Sequence, residues 1–504
     1  MEWLKGLVRG GARAEGGEGA LESARERRQR WRSVYVIYFT MFQMSLGFSI
    51  VLTGVYPYLD KLEPGASKEA LGLAVGISPL GQLLASPLLG LWANRRSCRP
   101  AMLASLALFV AASALYANLH LARPHARTFM LVARALVGVA SANVAVARSY
   151  LSAATLAGER TRAVAGASLA QVLGFVVGPA LQAAAAPLGP GPAYTAAPRL
   201  DMYTAAGWAN VLLGLVNLVC FLPFCFTEHK IAAREAMLLR GKETEKEALA
   251  ELKPDLVSSW TLVGAFFVLV FNFVLLETLA TPLTMDQFAW SKRQALQYMG
   301  ALMSAGAVVA CVVFALIAPL TKIFEERALL VWGGFLLTAA ASLLCIPWGP
   351  GAPPLAAGVE AGGGCPVDRQ PWCATSRVLT LPQFLLGYAC VSVGYPLGVT
   401  LIQTIFSKVL GPRPQGVWQG VLTGAGCGSR ALGPVFVSGV YARFGPDATF
   451  ASTAALTLAA LLALRLVYAR LRPPAPSAPP PTELQPLSAP APPAPPAQPD
   501  AAPV

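Results

Sequence analysis

The chain has 504 residues, of which 55% are hydrophobic and only 13% charged, and its mean hydropathy is +0.54. Soluble domains carry about a quarter charged residues, so this composition excludes an ordinary soluble protein. The formal net charge of +13 does not indicate nucleic-acid binding, because most basic residues lie in short segments between apolar stretches and no basic patch is interleaved with aromatic residues.

The start of the chain is predicted to be a cytoplasmic tail. Residues 1–33 are rich in glycine and charged side chains and end in a basic run from Arg25 to Arg32. No cleavable signal peptide is recognisable there. We therefore expect the first membrane span to act as its own insertion signal.

Apolar stretches of about 20 residues then recur along the chain, which is the length of helix that crosses a bilayer. The predicted spans are residues 34–59, 70–93, 100–120, 127–150, 162–186, 203–226, 258–282, 296–320, 328–347, 377–406, 415–441 and 447–471. A polar segment separates six spans from six. The sequence therefore predicts an all-α membrane protein with twelve transmembrane helices, in an N-terminal six-helix bundle at 34–226, a cytoplasmic linker at 227–257 and a C-terminal six-helix bundle at 258–472.

Basic residues set the predicted orientation. Segments on the linker's side of the membrane hold nearly twice as many Lys and Arg residues as those on the opposite side, and such residues accumulate in cytoplasmic loops. Both termini are therefore predicted to be cytoplasmic. Residues 473–504, rich in Pro and Ala, are predicted to form a disordered cytoplasmic tail. The basic PxxP pattern at 470–476 makes an SH3-type domain a candidate partner.

Two cysteines differ from the others. Cys365 and Cys373 both belong to the loop between the ninth and tenth spans, whereas the other cysteines lie in spans or in a loop on the linker's side. Because their loop would face an oxidising compartment, we predict that they form a disulfide. Two cysteines alone make a poor metal site, and we predict neither a metal nor a cofactor.

Three short motifs occupy the loop after the second span, the fourth span and the fifth span. They are Gly90-Leu91-Trp92-Ala93-Asn94-Arg95-Arg96-Ser97-Cys98-Arg99, Arg134-Ala135-Leu136-Val137-Gly138 and Gly174-Phe175-Val176-Val177-Gly178-Pro179. In these positions they resemble motifs of the major facilitator superfamily, whose loop motif reads Gly-x-x-x-Asp-Arg-x-Gly-Arg-Arg. Asn94 stands in place of the aspartate, so one charge is missing from the loop.

The resemblance implies two pseudo-symmetric bundles that rock around a site at the membrane midplane. It also implies a gating loop and a set of helix-packing residues, which would be Gly90, Asn94, Arg95 and Arg99 for the loop and Gly138, Gly174, Gly178 and Pro179 for the packing. Longer blocks at 281–286 and 410–417 resemble an endolysosomal branch of the superfamily. That branch implies residence in late endosomes or lysosomes and an anion (chloride) pathway.

Charged side chains at membrane depth cost about 2.5–3.5 kcal/mol each on insertion scales, so each needs a partner or a task. Arg134, Arg148, Glu277 and Arg430 lie within predicted spans. Arg134 and Arg148 are near span ends and either extend to the membrane surfaces or enter the pathway. Arg430 is mid-span, and it either faces a central cavity or pairs with Glu277 for stability.

Polar stripes run along two further spans. Gln171 lies on such a stripe in the fifth span, and Tyr388 and Tyr395 lie on one in the tenth. These side chains either line the same pathway or form hydrogen bonds between helices.

No Walker loop, dinucleotide fingerprint or hydrolase motif occurs in the sequence. An enzyme is therefore not predicted, and transport must be passive or coupled to an ion gradient. Three functions remain open. The first is an anion (chloride) facilitator, favoured because three arginines outnumber one deep carboxylate. The second is a proton-coupled carrier of a small organic solute with Glu277 titrating, and the third is a non-transporting membrane scaffold. The expected partners are the lipid bilayer and a small anion or organic solute.

Overall fold

The computed structural model describes residues 21–52, 54–62, 68–122, 125–189, 191, 199–240, 244, 255–355, 364–367 and 370–472. The predicted C-terminal tail at 473–504, most of the SH3-type pattern and most of the predicted N-terminal tail lie outside the described residues.

Helices fill the N-terminal half. They are α1 (Ala24–Leu52), α2 (Val55–Leu62), α3 (Lys68–Arg95), α4 (Cys98–Ala117), α5 (Ala126–Ser141), α6 (Asn143–Ala153), α7 (Arg160–Ala184) and α8 (Thr204–Cys220). A short break separates α1 from α2 and α5 from α6, so each of these pairs makes one membrane crossing. The linker carries a further helix, α9 (Ile231–Arg240).

The C-terminal half contains longer helices. They are α10 (Leu256–Phe288), α11 (Lys292–Ile323), α12 (Glu326–Leu344), α13 (Leu381–Leu410) and α14 (Gly416–Leu466). A π-helical segment, Leu329–Leu336, lies inside α12. Gly445 has a φ of 77°, a left-handed conformation that glycine adopts without a steric penalty, and it divides α14 into two crossings.

The twelve crossings agree with the sequence-based expectation. Ten helical segments of the described chain are long and apolar enough to cross a membrane, and α8 is a shorter apolar helix; the break in α14 supplies the twelfth crossing. The all-α fold is therefore confirmed. The first helix begins at Ala24 rather than at residue 34, because Ser23 and Glu26 form reciprocal hydrogen bonds that cap it.

Buried amides reveal the pseudo-symmetry of the two halves. In the N-terminal half, Asn217 Nδ2 on the sixth crossing donates to Thr40 Oγ1 on the first crossing at 3.1 Å. In the C-terminal half, Asn272 Nδ2 on its first crossing donates to Thr457 Oγ1 on its sixth at 3.1 Å. The same pair of helices is thus joined in each half by an amide–hydroxyl contact, which satisfies polar groups that the bilayer cannot.

The loop between α12 and α13 is fastened to the C-terminal half. Cys365 and Cys373 form a disulfide with Cα atoms 5.8 Å apart, and Trp372 between them packs edge-on against Tyr441, with ring centroids 5.2 Å apart. The Tyr441 hydroxyl donates to Asp286 Oδ2 at 2.9 Å. We call this the disulfide loop, its side of the molecule the disulfide side, and the opposite face the linker side.

Candidate functional site

The two halves approach most closely through glycines on the linker side. A Cβ atom added to Gly90 on α3 would lie 2.1 Å from the carbonyl oxygen of Gly416 at the start of α14. The backbone N–H of Gly416 donates to Asn94 Oδ1 at 2.7 Å. Asn94 therefore caps α14 from the other half of the molecule, satisfying an N–H that has no partner within its own helix.

A second contact lies beside the first and is polar. Ser152 at the end of α6 and Ser407 on α13 share a hydrogen bond of 2.7 Å between their Oγ atoms. Arg160 Nη1 donates to the Ser407 carbonyl at 3.3 Å. The buried Arg160 guanidinium also donates to the Ser152 carbonyl at 2.9 Å, so it joins the two ends of this contact.

A third contact combines charge with a hydroxyl. Lys408 Nζ lies 2.7 Å from Glu326 Oε1 and donates to Thr161 Oγ1 at 3.2 Å. Thr161 lies in the first turn of α7 in the N-terminal half, whereas Lys408 and Glu326 belong to α13 and α12. The hydroxyl is therefore the member that connects the halves.

The linker helix supports the same region. The backbone N–H of Ala157, in the loop between α6 and α7, donates to Glu235 Oε2 on α9 at 3.1 Å. Burial raises the pKa of Glu235 above its usual value, although this hydrogen bond and the nearby Arg160 oppose that shift. A carboxylate of the linker thus lies next to the loop from which α7 starts.

The hydrogen bonds between halves are confined to one part of the interface. Within the described residues, each of them starts at Arg148 or at a residue nearer the linker side. Among the described residues, no atom lies within 4 Å of a Cβ added to Gly76, near the disulfide end of α3. The halves are therefore closed together at the linker side and separate toward the disulfide side.

Arg148 lies where this closure ends. Its Nη1 donates to Thr423 Oγ1 on α14 at 3.2 Å, and its Nη2 donates to Gln171 Oε1 on α7 at 3.3 Å. Arg148 therefore does not extend to the membrane surface but bridges the two halves. Its Nε is buried and has no hydrogen-bond partner in the part of the chain that the structure describes.

Arg430 and Glu277 lie near Arg148 on the C-terminal side of the interface. The Arg430 guanidinium is next to the Tyr395 hydroxyl and interacts electrostatically with Glu277 and with Arg148. The Tyr395 ring stacks on Phe273 of α10 with centroids 4.2 Å apart, which fixes the position of the hydroxyl. Both Arg430 and Glu277 are exposed, and Arg430 follows Thr423 by seven residues on α14, so it lies beyond the closure, where the two halves separate.

Glu277 and Arg430, predicted as a candidate ion pair, lie near each other. Among the described residues, Glu277 and Arg430 interact electrostatically, but their side chains form no direct ion pair. Among the described residues, two guanidinium groups and one carboxylate therefore belong to this cluster, leaving one positive charge in excess. Arginine does not deprotonate in proteins, so this excess persists at physiological pH.

Two predicted pathway residues lie elsewhere. Arg134 is 1% exposed inside the N-terminal half, where its Nε donates to the Ala74 carbonyl at 3.2 Å. Tyr388 is half-buried, and its hydroxyl packs 2.7 Å from the Cβ position of Gly306 on α11. The central cluster therefore contains Arg148, Gln171, Glu277, Tyr395 and Arg430 but neither of these two.

The remaining motif residues lie in the loop after α3 or at close contacts between helices. Arg99 Nε donates to the Phe221 carbonyl at 2.8 Å, which anchors the loop after α3 within the N-terminal half, and Arg95 is exposed. An added Cβ on Gly138 would lie 2.1 Å from the Ser78 carbonyl oxygen, and one on Gly174 would lie 2.2 Å from that of Phe42. These glycines permit close helix contacts.

The packing surface of α7 continues along the same helix. An added Cβ on Gly178 would lie 2.0 Å from Ser49 Oγ, and Pro179 follows inside the helix. Close approach of this kind is typical of small residues between membrane helices.

Several interface residues were not singled out from the sequence. Ser152, Thr161, Glu326, Ser407 and Lys408 sit at helix ends, where serines and charged residues are common for reasons of capping and solvation. Their clustering depends on how the two halves face each other. The one sequence signal for this clustering is the presence of opposite charges at the starts and ends of neighbouring spans.

The matched family model is that of the Major Facilitator Superfamily, over residues 35–366. The chain belongs to the major facilitator superfamily, and it is therefore a membrane transport protein rather than an enzyme. It is 37% identical over 482 residues to major facilitator superfamily domain-containing protein 8 of Xenopus laevis, covering 90% of this chain and 94% of that one.

Solved structures show the same fold. The human organic anion transporter MFSD10 (TETRAN) superposes with a TM-score of 0.61 at 22% identity, covering 86% of this chain and 99% of that one. The proton:xylose symporter XylE superposes with a TM-score of 0.63 at 12% identity, covering 88% and 96%. At these identities the likeness establishes the two-bundle architecture alone.

Proposed function

We propose that this protein is a facilitator for small anions, with chloride as the first candidate, and that the anion passes through the cavity between the halves. The observation that carries the proposal is the excess of positive charge there: Arg148 and Arg430 interact with each other, and Glu277, beside Arg430, is the one carboxylate among the described residues that interacts with this pair. A fixed positive field in a low-dielectric cavity attracts anions and disfavours cations.

The positions of these groups support a transport role rather than a structural one. Arg148 spans the interface through Thr423 and Gln171, so its contacts must change when the halves move. Arg430 and Glu277 are exposed to the cavity rather than locked in a direct ion pair. Groups in such a position can exchange partners with a passing ion.

The central test is anion flux in liposomes containing the purified protein. Arg430→Gln removes the charge but keeps hydrogen-bonding capacity, and we expect it to reduce chloride flux at least tenfold, which corresponds to about 1.4 kcal/mol in the barrier. Arg430→Lys should be intermediate, because a point charge replaces the planar fork. Arg465→Gln is a matched control on the same helix, since Arg465 contacts Trp332 and Tyr468 at the linker-side end.

A double variant separates the role in transport from a role in stability. If Arg430 only balances Glu277, then Glu277→Gln combined with Arg430→Gln should restore expression and transport chloride as well as the parent protein. Normal flux in that double variant would contradict the proposal. Reduced flux in a well-folded double variant supports it.

A second function is favoured by Glu277 itself. Its side chain is exposed and interacts electrostatically with Arg430. Protonation of Glu277 would remove its negative charge and leave the positive charge of Arg430 uncompensated. In a proton-coupled carrier, Glu277→Gln would abolish solute uptake driven by a pH gradient while leaving exchange at equal pH intact. An anion facilitator would show no such division.

We also propose that the protein resides in endolysosomal membranes with both termini in the cytoplasm. The distribution of basic residues supports the orientation. The disulfide between Cys365 and Cys373 supports an oxidising compartment on the opposite side. Imaging of a tagged protein against lysosomal markers, with tag accessibility measured after selective permeabilisation of the plasma membrane, tests both statements.

A further inference from the structure

A lone arginine lies inside the N-terminal half, away from the central cavity. The Arg134 guanidinium is held at one edge by the Ala74 carbonyl, and it lies 5.4 Å from the centroid of the Phe48 ring. Within the described chain, no Asp or Glu forms an ion pair with it, and its Nη2 is buried without a hydrogen-bond partner.

Arg134 lines a small cavity enclosed by α1, α4, α5 and α8. Two further buried polar atoms on its walls have no hydrogen-bond partner among the described residues, Ser113 Oγ on α4 and Asn210 Oδ1 on α8. The Asn210 amide nitrogen is already used, since it donates to the Gly47 carbonyl at 3.2 Å. Unpartnered polar atoms from three helices therefore meet in one space.

The charge of Arg134 requires a counter-charge. A guanidinium cannot escape burial by losing its proton, and a buried charge without compensation is strongly destabilising. The four helices around the cavity carry a single acidic residue, Glu26, which lies at the far end of α1 and is bonded to Ser23. Asp201, just before α8, interacts with Tyr116 on the cavity wall, but its carboxylate is paired with Lys61 at 3.2 Å. An ordered water would satisfy the hydroxyl and the amide oxygen, but it would bring no charge.

We propose that this cavity binds a small monovalent anion of chloride size, held by Arg134 Nη2 and the hydroxyl of Ser113. The Asn210 oxygen is an acceptor and takes no part in holding the ion. The confined space excludes carboxylates and other polyatomic anions. The site belongs to one half of the molecule, so the ion moves with that half and does not lie on the transport path.

The test is halide-dependent thermal stability of the purified protein, measured in chloride and in gluconate at constant ionic strength. The central site is removed first with Arg148→Gln and Arg430→Gln together. We expect chloride and bromide to raise the Tm of this double variant, with a rise that grows with the logarithm of halide concentration. Adding Arg134→Gln should abolish the rise, and Ser113→Ala should weaken halide affinity.

The outcomes separate this site from the proposed transport function. A halide effect that survives in the double variant and disappears with Arg134→Gln supports the site, even if chloride flux through the central cavity proves absent. An equal Tm in chloride and gluconate, or a rise that Arg134→Gln leaves unchanged, overturns it. If the triple variant fails to fold, anomalous diffraction from bromide-soaked parent crystals decides: a peak within hydrogen-bond reach of Arg134 Nη2 is expected, and its absence rejects the proposal.

Discussion

Asn94 shows how one side chain can join the two halves of the molecule. Its amide oxygen accepts the Gly416 N–H at 2.7 Å, so it supplies a cap to α14 without the negative charge of an aspartate. The N-terminus of a helix carries a partial positive charge that favours anions. The closed linker side is therefore held less firmly than a carboxylate would hold it.

Asn94→Asp is expected to stabilise the closed linker side by about 0.3–1 kcal/mol, a shift of about two- to fivefold in population. Spin labels placed at the C-terminal end of α3 and the N-terminal end of α14 would report this as a larger fraction of short distances between the labels. Asn94→Ala is the matched control: it removes the acceptor, and the fraction of short distances should fall. Equal distributions in all three proteins would contradict this role for Asn94.

The charged residues of the central cluster could be identified from sequence because a charge inside a membrane span is costly and rare. Arg148, Glu277 and Arg430 were found in this way. The sequence could not separate Arg134 from them, since a buried arginine within one bundle and a cavity-lining arginine between bundles lie on similar apolar helices. Which one faces the cavity depends on the rotation of each helix, and packing determines that rotation.

At the scale of a single element, α14 is interrupted where the disulfide loop meets it. Gly445 has a positive φ, and an added Cβ would lie 2.7 Å from Trp372 Cδ2. The break therefore both separates the last two crossings and provides the surface on which Trp372 packs. A residue other than glycine would be strained there by its backbone and by the indole ring.

Gly445→Ala is expected to cost at least about 1–2 kcal/mol, the penalty of a left-handed conformation for a residue with a Cβ atom. Thermal unfolding in detergent measures the loss. Gly439→Ala is the control on the same helix, since an added Cβ there meets nothing within 4 Å, and it should be neutral or slightly stabilising. A Tm for Gly445→Ala equal to that of the control would show that Trp372 and the backbone adapt without cost.

The number and order of the helices followed from the sequence, because apolar length alone determines which segments cross a bilayer. Their ends did not. The capped extension of α1 back to Ala24 lies in a charged stretch, where local hydrogen bonds decide the start of the helix. The π-helical segment of α12 also leaves no mark in the pattern of apolar residues.

For the whole molecule, the glycine contact between Gly90 and Gly416 decides how closely the halves approach on the linker side. Gly90→Ala would place a methyl group into the Gly416 carbonyl, so the closed conformation should lose population while each half stays folded. Gly76→Ala on the same helix meets no described atom within 4 Å and serves as the control. Hydrogen exchange at the C-terminal end of α3 and the N-terminal end of α14 should rise in Gly90→Ala only. A rise in both variants, or in neither, would contradict this role for Gly90.

The arrangement of the two halves was the part least accessible to sequence. The motif around Gly90 located one surface of the linker-side contact, but Ser407, Lys408 and Glu326 on the other half carried no comparable signal. Contacts between bundles join residues hundreds of positions apart. A sequence pattern reports the periodicity of each helix, not which helix it will meet.

The one-sided closure of the halves also makes the molecule chemically asymmetric across the bilayer. The hydrogen bonds between halves seal the linker side, while Glu277 stays exposed within the cavity. In a variant whose native thiols outside the disulfide are removed and that carries Glu277→Cys, a membrane-impermeant thiol reagent should label the new cysteine from the disulfide side and leave it untouched from the linker side. The ratio of labelling from the two sides then becomes a direct readout of which way the protein faces.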